Sequence, residues 1–369
     1  MRITDIKCYV LERTAGPRGY FWRDGLNDFG FGDGTPEGEK TYNAVLKVET
    51  DEGIVGRAGG RGHAMADFVR RRLKYLIGED PMMTERLWHR VWEIDRIEEI
   101  QVHMLGSLDI ACWDIKAQKA GLPLYQLLGG NDRRVPAYAS TVTWPTMDEY
   151  ERHIKHCMDI GFSAFKLHAW GDAKRDAKLS RNLRKWTGDD APLMFDGSAG
   201  WDYPTALWFG RVLEECDFLW YEEPMREFDL PSYAHLAAAL DIPILAAETC
   251  DGVHWNAATW IQMRALDLMR VSAGFKGGIT GALKVAHLAE SFGMGAEVHG
   301  MGYENAHICA AIPNNHYYEQ LVIDTEQIDG LKDLGDLAIV DGYLNVSDAP
   351  GIAPQPDWDT IEKQAVLVV

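Results

Sequence analysis

Apolar and polar residues alternate from position 3 to 11, the two-residue period of a strand with one face in a core. A Gly- and aromatic-rich loop follows, from Thr14 to about Gly38. From Asn43 to Gly56 two more alternating runs flank Asp51, Glu52 and Gly53, which predicts a hairpin. Helical spacing takes over across 62–77, 84–95 and 101–120. In the last of these, Val102, Leu105, Leu108, Ile110, Ala111, Cys112 and Ile115 form an apolar stripe, and Gly121 and Pro123 end it. Residues 1–128 therefore read as an α+β domain.

The pattern changes after Gly129 and Gly130. Short apolar runs now alternate with amphipathic stretches such as 147–159, 203–214 and 280–291. The runs are 135–139, 164–168, 192–196, 218–222, 243–248, 266–272, 295–299 and 317–322. From the second run onward each has one polar residue near its end: Lys166, Asp196, Glu222, Glu248, Ser272, His299 and Glu319. These recur every 20 to 30 residues, the length a strand and its crossover helix need. Eight such units predict an α/β fold, a TIM-like (β/α) barrel over 129–335. Strand-like runs return at 337–340 and 365–369, and the segment 336–369 is expected to pack back on the first domain.

Composition narrows the function. Lys and Arg number 37 against 56 Asp and Glu, a net charge of −19, which argues against nucleic acid and anionic membrane surfaces. An anionic substrate would need local cations, and a bound metal is the obvious source. No apolar run of about 18 residues suggests a membrane span, and the first residues lack the apolar stretch of a signal peptide. The six cysteines are scattered without paired spacing, as expected for buried thiols in a cytoplasmic protein.

In a barrel of this kind, polar groups at the carboxyl ends of the strands face one mouth, where catalysis occurs. Three consecutive runs end in carboxylates, Asp196, Glu222 and Glu248. Each alone could cap a helix or pair with a side-chain cation. Together at one height they would repel, and a hard divalent ion such as Mg²⁺ relieves this. Lys166 and His168 share the inward face of the second strand. Lys166 reads as a proton acceptor whose pKa is lowered beside a cation, or as a structural partner of a ligand carboxylate. His168 can be a base, a substrate binder or a packed core residue. His299 lies across the mouth, and Glu319 could donate a proton or hydrogen bond to a developing oxyanion.

The chain resembles the enolase superfamily, most closely its mandelate racemase subgroup. The resemblance is carried by the helix at 107–118, the stretch 121–130, Tyr221-Glu222-Glu223-Pro224, Ala247-Glu248-Thr249 and Gly277-Gly278-Ile279-Thr280. It implies an enolase-type barrel with an N-terminal capping domain completed by the C-terminal tail. It also implies Asp196, Glu222 and Glu248 as ligands of one Mg²⁺ per subunit, and a substrate carboxylate on that metal. Abstraction of the α-proton would give an enediolate, with Glu319 hydrogen-bonding its oxygen. The loop at 15–35, with Tyr20, Phe21, Trp22, Arg23 and Asp24, is similar to the family's mobile specificity loop. Three positions depart from the pattern. Lys166-x-His168 replaces Lys-x-Lys, and Asp196-Gly197-Ser198 replaces Asp-x-Asn. Ser272 stands where an Asp should orient His299, and Ser cannot stabilise an imidazolium.

The expected activity is Mg²⁺-dependent dehydration of an acid sugar. Lys166 would take the α-proton and His299 would assist the leaving β-hydroxyl, with Ser272, Arg270, Tyr20, Trp22 and Arg23 as candidate substrate contacts. A ring ether in place of the hydroxyl would make the enzyme a cycloisomerase. A racemase needs two matched bases and fits Ser272 less well. A non-catalytic ligand-binding homologue is the alternative outside enzymology. The expected partner is a small-molecule carboxylate, with no nucleic acid or membrane, and the chain is expected to form a homo-oligomer.

Overall fold

The computed structural model describes residues 1–14, 38–98 and 100–369. The alternating N-terminal runs are strands. β1 (Ile3–Thr14), β2 (Lys40–Thr50) and β3 (Val55–Gly60) form an antiparallel meander, and β1 buries Ile6, Cys8 and Val10. Helices Gly62–Arg71 and Val102–Ala120 pack on this sheet, and Thr84–Glu98 packs on the second of them.

All eight barrel runs are strands. β4 (Arg134–Thr141), β5 (Ala164–His168), β6 (Leu193–Asp196), β7 (Trp220–Glu222), β8 (Ile244–Ala246), β9 (Leu268–Val271) and β10 (Ala296–Val298) pair in that order, all parallel. β11 (Tyr318–Val322) pairs parallel with β4 on its other side. Between β10 and β11 the contact is made through other groups: the Gly300 N–H donates to the Glu319 carboxylate at 2.7 Å, and the Ala296 N–H to the Asn314 carbonyl at 2.7 Å. Thr146, Asp172, Asp202 and Asp229 accept from first-turn N–H groups and start the intervening helices, which accounts for these polar residues structurally.

The tail departs from expectation. β12 (Ile339–Val340) and β13 (Tyr343–Asn345) form a hairpin, and β13 runs antiparallel to residues 134–136 of β4. Those residues precede the ladder that joins β4 to β5, so their backbone groups need another partner. This part of 336–369 therefore joins the barrel instead of the capping domain. The tail reaches the N-terminal sheet in β14 (Ala365–Val368), antiparallel to β1, giving the order β14-β1-β2-β3.

The two domains meet where the helix Val102–Ala120 crosses the start of the helix Ile279–Glu290. A Cβ on Gly106 would stand 2.3 Å from the Gly278 nitrogen, so only glycine permits this approach. The buried Asp109 carboxylate accepts from the Thr280 N–H at 2.9 Å and from its hydroxyl at 2.5 Å. Trp113 donates to the Thr280 hydroxyl, and Trp88 to the Gly277 carbonyl. Among the described residues no helix is long and apolar enough to cross a membrane, and all six cysteines are buried and unpaired.

Candidate active site

Strand register builds the site. Asp196 and Glu222 are direct partners across β6 and β7, and His168 is the partner of Asp196 across β5 and β6. Lys166, two residues before His168, points to the same side and is fully buried. Its ammonium lies 2.7 Å from Glu319 Oε1, 2.8 Å from Glu222 Oε2 and 3.5 Å from Asp196 Oδ2. The Arg270 guanidinium rises from β9, also fully buried. Its Nε is 2.6 Å from Glu222 Oε1, and its Nη2 donates to Glu319 Oε2 at 2.8 Å and to the Tyr138 hydroxyl at 3.0 Å. His299 Nδ1 lies 3.0 Å from Glu248 Oε2 and 3.2 Å from Glu319 Oε2. His168 Nδ1 donates to the Thr141 carbonyl at 2.6 Å, which leaves Nε2 at 3.0 Å from Asp196 Oδ2.

Carboxylates and cations thus alternate around the mouth, and protein groups offset the repulsion expected among Asp196, Glu222 and Glu248. This corrects the premise that only a metal could do so. Lys166 and Arg270 stand between the carboxylates, and among the described residues no three acidic, His or Cys side chains converge as a finished metal cage. The donor chemistry nonetheless fits a hard divalent ion: three carboxylates at one rim, with Glu222 Oε1 buried and making no hydrogen bond.

The lowered Lys166 pKa is not met in this arrangement. Burial works against its charge, but Glu222 and Glu319 overcome burial and hold the ammonium well above its ordinary value. Burial likewise disfavours the His299 cation, and Glu248 and Glu319 reverse this and push it up to about 10. Asp196 resists burial through His168 and Lys166 and stays below the usual carboxylate range. Glu222 moves the other way, because its burial outweighs Arg270 and Lys166.

Each carboxylate of the trio adjoins a non-glycine residue in the left-handed backbone region. Ser198 (φ +46°) and Ala199 (φ +55°) follow Asp196, Glu223 (φ +42°) follows Glu222, and Ala247 (φ +70°) precedes Glu248. Such residues cost about 1–3 kcal/mol each and persist where the surroundings over-determine them. The surroundings here are visible. The Ser198 N–H donates to Asp196 Oδ1 at 2.8 Å, and the Glu248 N–H to Glu223 Oε1 at 3.2 Å. The buried Lys276 ammonium donates to the carbonyls of Ala247 and Glu248 at 2.5 and 3.0 Å. The turn at Ala247 also ends β8 two residues before the expected boundary.

The structure brings Lys166, His168, Asp196, Glu222, Glu248, Arg270, His299 and Glu319 together. Two of the expected substrate contacts change role. Arg270 has its donors on protein acceptors beneath the mouth, and the Ser272 hydroxyl accepts from the Phe275 N–H at 3.0 Å in a tight turn. Tyr20, Trp22 and Arg23, with Phe21 and Asp24, lie outside the described residues. Four contributors were not anticipated: Ser140, whose hydroxyl donates to Glu319 Oε1 at 2.9 Å, together with Tyr138, Glu223 and Lys276. Ser140 and Tyr138 sit at alternating positions of β4, and that alternation was the available signal.

Residues 34–129 match the model for the mandelate racemase / muconate lactonizing enzyme N-terminal domain, and residues 149–360 match the enolase C-terminal domain-like family. The L-talarate/galactarate dehydratase of Salmonella typhimurium is 30% identical, over 84% of this chain and 79% of that protein. The D-galactarolactone cycloisomerase of Agrobacterium fabrum is 25% identical over 98% of both. A D-glucarate dehydratase from Agrobacterium tumefaciens, solved in complex with magnesium, superposes with a TM-score of 0.89 at 33% identity, covering 100% of both chains. The chain belongs to the mandelate racemase / muconate lactonizing enzyme family of the enolase superfamily.

Proposed function

We propose that this chain is a Mg²⁺-dependent acid-sugar dehydratase working in the cytoplasm. The carrying observation is that Lys166 and His299 flank one set of carboxylates from opposite sides. Lys166 contacts Asp196 and Glu222, His299 contacts Glu248, and both contact Glu319. Asp196, Glu222 and Glu248 would hold the Mg²⁺, which supplies positive charge where the substrate carboxylate gathers negative charge. With Asp196 and Glu222 so committed, Lys166 loses part of the field that holds its proton and can take the substrate α-proton. His299, carrying a proton at this site, delivers it to the departing β-hydroxyl, so that water leaves and a 2-keto-3-deoxy acid forms. Support for a substrate of this class comes from the dehydratases named above. Ser272 argues against a racemase, which needs two matched bases.

The test uses the Mg²⁺-loaded protein with galactarate, D-glucarate and related aldarates and aldonates in deuterated water. The expected result is magnesium-dependent formation of a 2-keto-3-deoxy product, followed by NMR. Lys166→Ala should abolish both turnover and α-exchange. Turnover that survives this substitution removes Lys166 from its role. Magnesium binding without turnover across the set would leave a ligand-binding protein, and turnover confined to lactones or anhydro acids would make it a cycloisomerase.

A further inference from the structure

We infer that Glu319 is the positioning carboxylate of His299, doing the work that an acidic residue at Ser272 would otherwise do. The inference rests on the dehydratase reading, in which His299 moves a proton.

The register of β9 and β10 pairs Val271 with Val298, and the His299 N–H donates to the Val271 carbonyl at 2.6 Å. Ser272 is therefore the strand neighbour of His299. Its hydroxyl is turned toward the Phe275 N–H, and a hydroxyl could not offset an imidazolium charge in any case. The carboxylates that face His299 Nδ1 are Glu248 and Glu319. Glu248 belongs to the proposed cation set, and a carboxylate that shares its electrons with a divalent ion is a poor acceptor for a ring N–H. Glu319 remains. Nδ1 is not yet aligned for a hydrogen bond with either, as is common before substrate binds.

The surroundings of Glu319 suit an acceptor and not a donor. Oε1 faces the Ser140 hydroxyl at 2.9 Å and the Lys166 ammonium at 2.7 Å. Oε2 faces the Gly300 N–H at 2.7 Å and the Arg270 guanidinium at 2.8 Å. All four partners donate, so a proton on either oxygen would point at another proton. Glu319 is thus not arranged to give a hydrogen bond to a substrate oxyanion. The Gly300 contact also ties the backbone that follows His299 to the same oxygen, so imidazole and carboxylate hold a common frame.

Glu319→Gln separates the two roles, because a carboxamide can still donate to an oxyanion but carries no charge for His299. Thermal melting first confirms that the variant is folded. In the Mg²⁺-loaded enzyme with galactarate or D-glucarate, a positioning role predicts a fall in kcat of about 10³-fold or more with KM little changed. The double variant Ser272→Asp, Glu319→Gln should regain at least about tenfold of it, since a carboxylate returns beside His299. A donor role predicts near-normal kcat in Glu319→Gln, and absence of rescue in the double variant also overturns the inference. A second readout needs no turnover. In histidine-labelled protein with Mg²⁺, ¹⁵N NMR, assigned through His299→Gln, should show His299 protonated at Nδ1. That proton should stay in Glu248→Gln and be lost or shared with Nε2 in Glu319→Gln. The reverse pattern assigns the role to Glu248 and overturns the inference. If no acid sugar is turned over at all, the dehydratase reading fails while the NMR result still decides between Glu319 and Glu248.

Discussion

Arg270 shows how much of this site is held by one side chain. Its guanidinium is always charged and reaches Glu222, Glu319 and Tyr138 at once. Removing one member of a buried ion network leaves the others uncompensated, which costs about 3–5 kcal/mol. Arg270→Met, which keeps much of the volume, should therefore melt well below the wild type. The same change frees Glu222 Oε1, one of the proposed metal-ligand atoms. Magnesium should then raise the melting temperature of Arg270→Met by more than it raises that of the wild type. Equal shifts in the two proteins would mean that Glu222 is not among the magnesium ligands. Lys166 obeys the same logic with the opposite demand: its partners hold it charged, and chemistry requires that some of them be drawn away.

At the scale of the element, strands were the legible part and their ends were not. Period-two alternation and recurrent polar residues located β4 to β11, since a barrel strand must bury one face whatever its function. The carboxylates at the rim were legible for the same reason, as polar atoms that close apolar runs. What stands between them was not, because the reach of Lys166 and Arg270 across the barrel depends on strand register. Ser140 and Tyr138 were passed over because only the second and later strands were searched for polar ends. The split of the tail was equally hidden: 339–345 and 365–368 are similar short apolar runs, and the free edge of β4 decides between them. The left-handed turns have no sequence signature at all when the residue is Ala or Glu. Ala247 gives a test of their purpose. Left-handed backbone costs a non-glycine residue about 1–2 kcal/mol, and glycine returns about 0.5–1 of this as chain entropy. Ala247→Gly should stabilise the fold by about 0.5–1 kcal/mol in denaturant titrations while weakening magnesium binding, because Glu248 loses its fixed exit from β8. A variant that is less stable, or that binds magnesium as tightly as before, would show that the turn is not strained to aim Glu248.

Across the whole molecule, the capping domain is fastened to the barrel by a carboxylate in an apolar setting. Burial pushes Asp109 up to about 7 despite its hydrogen bonds from Thr280. In the unfolded chain the same group titrates near 3.8. Between these values the folded state keeps a proton that the unfolded state releases, so stability falls as pH rises through this window. The slope is about 1.4 kcal/mol per pH unit, which bounds the loss at roughly 4 kcal/mol by pH 7. Asp109→Asn removes the titration and keeps one acceptor for Thr280. Other groups titrate in both proteins alike, so the informative quantity is the difference in unfolding free energy between wild type and variant. That difference should favour the wild type at pH 4 and shift steadily toward the variant up to pH 7, then level off. A difference that is flat across the window would mean that Asp109 is ionised throughout. The junction with Thr280 would then be an ordinary charged helix cap, not a neutral carboxyl wedged between two domains. The position of this latch gives the result a wider meaning: Gly106 and Gly278 bring the backbones together within a distance that leaves no room for water or a counter-ion beside Asp109, so a proton is the charge balance that the geometry allows.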